Sequence, residues 1–205
     1  MARIVSYEEG ALGTVKAVAE DGSLFRFKSA YDATGLFAAP VGVRPEPPLD
    51  IPDELLSAAV EATEAEARAL SLLARAEQFR FGLELKLASR GAPKAAAKAA
   101  LDRLEAEGLL SDERYAESWI RQRCRSRAEG PRSLSASLSS RGVDRRAIKT
   151  ALSRAFEGEA RGEAIARAAA SLAAKGFDTR RSRAILIELG WRSGEVDDAI
   201  DAIEQ

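Results

Sequence analysis

Residues 138–152 read Leu-Ser-Ser-Arg-Gly-Val-Asp-Arg-Arg-Ala-Ile-Lys-Thr-Ala-Leu, and the spacing inside this stretch decides the fold. Leu138 stands four residues before Gly142, and Ala151-Leu152 follow nine and ten residues after it. The same marks recur around Arg90-Gly91, with Leu87 before and Ala100-Leu101 after. They recur again around Gly190, with Leu186 before and Ala199-Ile200 after, although Leu189 replaces the arginine. Thirteen residues past each glycine come Leu104, Ala155 and Ile203, completing an i, i+3, i+4 stripe that buries one face of a helix. A glycine after a leucine-bearing turn is a helix stop, because only glycine enters the left-handed conformation without a Cβ clash. The chain is therefore a threefold repeat with a period near 50 residues.

Each copy divides into three helices. In the first they are expected at 64–77, 82–90 and 93–107, with Pro93 early in its helix, where its missing N–H costs little. Thr63 and Glu66 have capping-box spacing and mark the start of the helical region. In the second copy the helices are expected at 112–127, 132–141 and 145–156, with Ser111 as N-cap and Asp112 and Glu113 at the positive end of the dipole. In the third they are expected at 159–175, 179–189 and 195–203, the last capped by Ser193. Alanine, the strongest helix former, supplies 41 of 205 residues, and aromatics only 6%, so the core rests on small aliphatic contacts. One three-helix unit buries too little surface alone, whereas stacked copies share faces. The expected fold is all-α for most of the chain, three tandem three-helix repeats forming an elongated, curved array. Such an array offers a long lateral surface and no deep central cavity.

The first 50 residues differ. Val15, Val18, Leu24, Phe25 and Phe27 flank Glu20-Asp21-Gly22-Ser23, which reads as a β-hairpin. Pro40 to Pro52 holds five of the seven prolines and reads as a linker. The expected organisation is a hairpin extension and linker over 1–50, then repeats over 51–109, 110–157 and 158–205.

Composition removes much chemistry. The chain has no histidine and one cysteine, Cys124, so Ser-His-Asp and Cys-His catalysis, structural zinc and facial-triad iron are all out of reach. No GxxxxGK[ST] or GxGxxG loop occurs. Glu84, Glu105 and Glu107 occupy ordinary exposed helix positions and do not read as an acid–base pair. No cofactor and no metal are expected, and the chain is not read as an enzyme. No apolar run reaches membrane-spanning length and the N-terminus lacks a signal-peptide core, so a cytoplasmic location without membrane contact is expected.

Net charge is −1, but its distribution is uneven. Between Arg121 and Arg154 stand ten basic residues against two acidic ones. Glu46–Glu66 holds seven acidic and no basic residues, and Ser193–Gln205 five and none. The candidate binding residues are therefore Arg121, Arg123, Arg125, Arg127, Arg132, Arg141, Arg145 and Arg146. Arginine pairs bidentately with phosphate or carboxylate and keeps its charge when partly desolvated. A solvated face is the plainer reading of such a run. Against it, Arg121/Arg125 and Arg123/Arg127 are like-charged i, i+4 pairs, which helix stability alone would not select. Trp119 and Tyr115 share one helix face, and they and Trp191 read as core rather than as base-stacking platforms. Cys124, between Arg123 and Arg125, would have a lowered pKa if exposed, but a buried or incidental thiol is the simpler reading.

Two segments carry a resemblance. Gly108-Leu109-Leu110-Ser111-Asp112-Glu113-Arg114-Tyr115-Ala116 resembles the GLLDDERFA signature of the RecX family of bacterial regulators of the RecA recombinase. Gly130-Pro131-Arg132 leading to Leu138, Arg141 and Gly142 is similar to that family's G-P-x-x-I-x-x-x-L-x-x-[KR]-G segment. Glu84-Leu85-x-Leu87-x-x-x-Gly91 resembles the corresponding part of the family's first repeat, and the likeness runs over 64–205. The chain departs from the pattern at Phe81-Gly82, where a serine N-cap is common, and before Gly190, where the basic residue is missing. The resemblance implies three three-helix repeats that dock in the groove of the RecA–single-stranded-DNA filament and hinder extension, ATPase, strand exchange and coprotease action. It singles out Arg121, Arg123, Arg132 and Arg141 as contacts. The expected partners are the RecA filament and DNA, directly or through the filament, met by a monomer. Two other readings stay open: a free-standing helical module for single- or double-stranded nucleic acid, and an enzyme, which would need a concave pocket with a perturbed carboxylate or lysine.

Overall fold

The computed structural model describes residues 1–37 and 46–204, with the side chains of 125, 126, 203 and 204 outside that description. The residues fall into two compact units, Met1–Ala76 with Leu83–Leu110, and Glu77–Gly82 with Ser111–Gln205.

In the first unit, β1 (Ala2–Glu9), β2 (Thr14–Ala19), β3 (Leu24–Lys28) and β4 (Leu49–Ile51) form one antiparallel sheet in the order β3-β2-β1-β4. The expected hairpin is its β2–β3 half, with Val15 opposite Phe27 and Ala17 opposite Phe25. The sheet is larger than a hairpin, because β1 pairs with β2 on one side and with β4, at the end of the proline-rich stretch, on the other. The linker expectation for 40–45 falls outside the described residues. Alternation along the strands buries Ile4, Val15, Ala17 and Phe27, and Phe37 closes the cluster with edge-on contacts to Tyr7 and Phe27 at 5.1 and 5.3 Å.

Three helices follow, α1 (Asp53–Leu73), α2 (Arg80–Ala88) and α3 (Lys94–Ala106); α1 covers the sheet and packs on α3. Helix α1 starts eleven residues before the position expected for it, at Asp53 after Pro52, with Asp53 and Glu54 in its first turn. Thr63 and Glu66 are therefore mid-helix and form no capping box. The Thr63 hydroxyl donates to Ala59 O at 2.8 Å and accepts from Lys28 N–H at 2.8 Å. Glu66 is 1% exposed and receives the Lys28 ammonium, the Tyr31 hydroxyl at 2.7 Å and the Arg103 guanidinium at 3.8 Å. Tertiary partners from the sheet won over a local cap. Ala59, Ala62, Ala65 and Ala69 line the buried side of α1, and Leu83, Leu87, Leu101 and Leu104 fill the core between the three helices.

The second unit holds α4 (Asp112–Ser126), α5 (Pro131–Ser140), α6 (Arg145–Ala155), α7 (Ala160–Ala174), α8 (Thr179–Glu188) and α9 (Ser193–Glu204). These boundaries fall within two residues of the expected ones; Ser193 opens α9 as a helical residue, and Glu195 accepts from Arg192 N–H at 3.3 Å in its place as cap. The leucine–glycine mark is a helix stop in all three copies. Gly91, Gly142 and Gly190 have φ of +81°, +85° and +92°. The following residue's N–H returns to the leucine carbonyl: Ala92 to Leu87 at 3.1 Å, Val143 to Leu138 at 3.3 Å, Trp191 to Leu186 at 3.1 Å. The stripe after the glycine holds less strictly. Ala100, Leu101 and Leu104 are fully buried, but in the second copy Ala155 is exposed and Phe156 enters the core instead. The side chain of Ile203 lies outside the described residues.

Within this unit the second and third repeats touch backbone to backbone. Gly130 N–H donates to Leu189 O at 2.7 Å, Arg132 N–H to Gly190 O at 3.3 Å, and Trp191 Nε1–H to Ala128 O at 2.9 Å. A Cβ on Gly130 would lie 2.6 Å from the Gly190 carbonyl carbon, so only glycine permits this approach. Pro131 then opens α5 where no N–H is needed.

Candidate partner-binding surface

Helix α4 carries Arg121, Arg123 and Arg125 and ends at Arg127, four of the eight candidate residues, and its first turns are occupied by structural work. Ser111 Oγ accepts from Arg114 N–H at 3.2 Å, as expected of an N-cap. Asp112 does more than complement the helix dipole, since its carboxylate accepts Arg80 N–H at 2.7 Å and Asp144 N–H at 2.9 Å. Arg114 pairs with Glu77 at 3.0 Å, Tyr115 stacks on Phe79 at 4.7 Å, and Ala116 is buried. Glu113 and Glu117 both hold Arg154, the latter at 2.7 Å. The Ser111–Ala116 signature is thus a packing and capping device.

Those arginines divide among different surroundings. Arg123 is spent internally: it forks onto Glu129, 8% exposed, at 2.9 and 3.2 Å, and lies over the Trp119 ring at 5.0 Å. Arg141 covers the same ring at 5.4 Å. Trp119 is half-buried against the core between the two cations, and Trp191 is fully buried, its ring edge-on to Phe156 at 5.8 Å. Arg132, Arg145 and Arg146 are exposed at the starts of α5 and α6, with no ion pair among the described residues. Asp144 caps α6 by accepting from Arg146 and Ala147 N–H groups at 2.9 and 3.0 Å, offsetting two cations at a positive helix end. The Arg125 side chain falls outside the described residues.

Arg121 and Arg127 instead line a cleft of about 1060 Å³ bounded by α4, α6, α7 and the turn at Leu189–Trp191. An array without a deep cavity was expected; this concavity lies between the α4–α6 pair and α7, which packs on α8 and α9. It adds two cations that sequence reading missed, Arg167 and Lys175. With Ser171 they form an i, i+4, i+8 polar row along α7 and its C-cap, beside the buried Ala168 and Leu172, and that row was the available signal. Cys124 opens on the cleft and is exposed, yet its thiol is pushed above the ordinary range by partial burial, assisted by Glu129 and opposed by Arg167. The lowering expected from Arg123 does not operate, because that guanidinium faces Glu129.

Among the described residues no group of three or more acidic, cysteine or histidine ligands is placed to hold a metal ion, and no helix is long and apolar enough to cross a membrane.

Comparison with known proteins places these features. A family model described as RecX, second three-helix domain, matches residues 111–152. A regulatory protein RecX of Pseudomonas syringae pv. tomato is 48% identical over 84 residues, 41% of this chain and 54% of that relative. One from Mycolicibacterium vanbaalenii is 40% identical over 108 residues, 53% of this chain and 59% of that relative. The matches thus span somewhat over half the length of these curated relatives. Among solved structures, a regulatory protein RecX aligns with a TM-score of 0.71 over 98% of this chain and all of that one, at 19% identity. RecX from Lactobacillus salivarius aligns at 0.63 over 70% of this chain and 97% of its own, at 21% identity. At these identities the two structures share the fold.

Proposed function

Because the chain belongs to the RecX family, we propose that it is a non-enzymatic regulatory protein that binds the groove of the RecA–single-stranded-DNA filament and lowers its ATPase, strand-exchange and coprotease activity. One observation carries the reading: in the repeat that matches the family model, the signature carboxylates are consumed by the protein itself, while Arg132, Arg145 and Arg146 stand in solvent with no ion pair among the described residues. Guanidinium groups so placed have full capacity for bidentate pairing with phosphate or carboxylate. A filament of protein wound on a single strand presents both. Arg121 and Arg127 add charge on the cleft side, whereas Arg123 and Arg141 serve mainly to hold Trp119 and, through Glu129, the end of α4.

The test is titration of the full chain into a RecA–single-stranded-DNA ATPase assay, with the strand alone as a binding control. Inhibition with little affinity for the bare strand supports the filament reading. Tight strand binding, with a log–log salt slope near −3 on the rough rule of 0.7 per phosphate for about four contacts, supports the nucleic-acid module instead.

A further inference from the structure

We propose that the cleft between α4 and α7 receives an acidic amphipathic helix of a partner protein, which deepens the regulatory reading by naming the chemistry of one protein contact. The cleft has cationic rims and an aliphatic floor. Arg121 and Arg127 stand on the α4 side, and Arg167 and Lys175 on one face of α7. Arg121 and Lys175 have no ion pair among the described residues, and Arg167 reaches only Glu163, at 3.8 Å with both side chains largely in solvent. Arg127 lies 3.7 Å from Glu129, already forked by Arg123, and Arg154 at the mouth is held by Glu113 and Glu117.

The floor consists of Ile120, Ala151, Ala168 and Leu172, and Ala128, Ala155 and Ala164 keep its walls low. Small side chains flanked by charge admit another helix at close range, its apolar row on the floor and its carboxylates at the rims. A single nucleic-acid strand fits less well, since base stacking needs an open aromatic face. Trp191, the one aromatic residue lining the cleft, is 2% exposed and its indole N–H is given to Ala128 O. The volume, about 1060 Å³, is just above the range of small-molecule sites, roughly 300–1,000 Å³, and suits a peptide segment. The lining carries more cations than the carboxylates of Glu117 and Glu129 balance, and an acidic occupant would neutralise the excess.

The probe is a short fluorescein-labelled peptide with leucines at i, i+3, i+4, i+7 and glutamates elsewhere, titrated into the full chain and followed by anisotropy. Its controls are a permuted peptide of the same composition and labelled oligothymidylate. Binding on the order of 10 µM is expected for the amphipathic peptide. Reversal by R121E/K175E weakens it about tenfold or more, as loss of complementary rim charge should. Ser171→Trp, an exposed position on the cleft wall, occludes it. Cys124 is the sole cysteine and lines the cleft, so in the unmodified protein saturating peptide slows its reaction with dithionitrobenzoate. Absence of binding at about 1 mM, equal binding of the permuted peptide, or an unprotected Cys124 overturns the proposal. So does oligothymidylate that displaces the peptide and is weakened by the same reversal. The assay contains neither recombinase nor ATP, so failure here leaves filament inhibition standing, and failure of filament inhibition leaves peptide binding standing.

Discussion

Replacing Gly130 by alanine tests the backbone contact that joins the second and third repeats. Its φ of −86° suits any residue, so the cost comes from contact and not from torsion. The new Cβ would meet the Gly190 carbonyl carbon at 2.6 Å and the Gly190 oxygen and Trp191 nitrogen at 2.7 Å. All three atoms are backbone and cannot rotate away, so the two segments must separate. Separation stretches the Gly130–Leu189, Arg132–Gly190 and Trp191–Ala128 hydrogen bonds, each worth about 1 kcal/mol. Restricting the unfolded chain returns about 0.5–1 kcal/mol. The net loss is about 2–3 kcal/mol, or a fall in Tm of roughly 5–10 °C for a chain of this size. Both tryptophans lie in the second unit, so a thermal melt followed by tryptophan fluorescence reports that unit alone. Gly162→Ala is the control of opposite sign: it lies inside α7 with nothing within 4 Å of a new Cβ, and should gain about 0.5–1 kcal/mol. A Gly130→Ala protein that melts with or above the parent refutes the contact.

Asp112→Ala leaves the Arg80 and Asp144 N–H groups without their acceptor and should cost about 1–2 kcal/mol, read as a lower denaturation midpoint by circular dichroism. Tyr31 is held in its neutral form, first by burial and then by its hydrogen bond to Glu66, so its pKa is raised. Above pH about 10 the unfolded chain loses that proton while the folded chain keeps it; stability present below this pH should therefore drain away as pH rises, and Tyr31→Phe should flatten the decline. Arg145→Glu with Arg146→Glu exchanges two cations at a helix N-terminus for two anions, and should raise stability by about 0.3–1 kcal/mol per site, read as a slightly higher Tm, while weakening filament inhibition. A variant that loses both stability and inhibition would assign these arginines to the fold.

Helix limits were legible because each copy writes its stop locally: leucine, three residues, glycine, then a residue whose N–H turns back. Strand pairing was less so: β2–β3 carries an Asp-Gly turn, whereas β1 meets β2 through residues 10–13 without such a signal and meets β4 from across the proline-rich stretch, with Ile4 opposite Leu49. The capping-box reading of Thr63 and Glu66 failed for the same reason, as Lys28, Tyr31 and Arg103 compete for those side chains from afar. Pro52-Asp53-Glu54 carried the correct start and went unread. The arginine cluster was visible as charge, but charge counting cannot tell Arg123, turned onto Glu129 across the helix end, from Arg132, left in water. The cleft depends on how far α7, packed on α8 and α9, stands from the α4–α6 pair, which no spacing encodes.

The central claim is that exposed arginines of the second repeat dock the protein on the filament. Its most direct measurement is the concentration of R132E/R145E/R146E needed to halve RecA–single-stranded-DNA ATPase, set against the parent protein at matched helicity. A rise of about tenfold or more is the predicted result, from loss of three charge-assisted contacts. An unchanged midpoint would contradict the account.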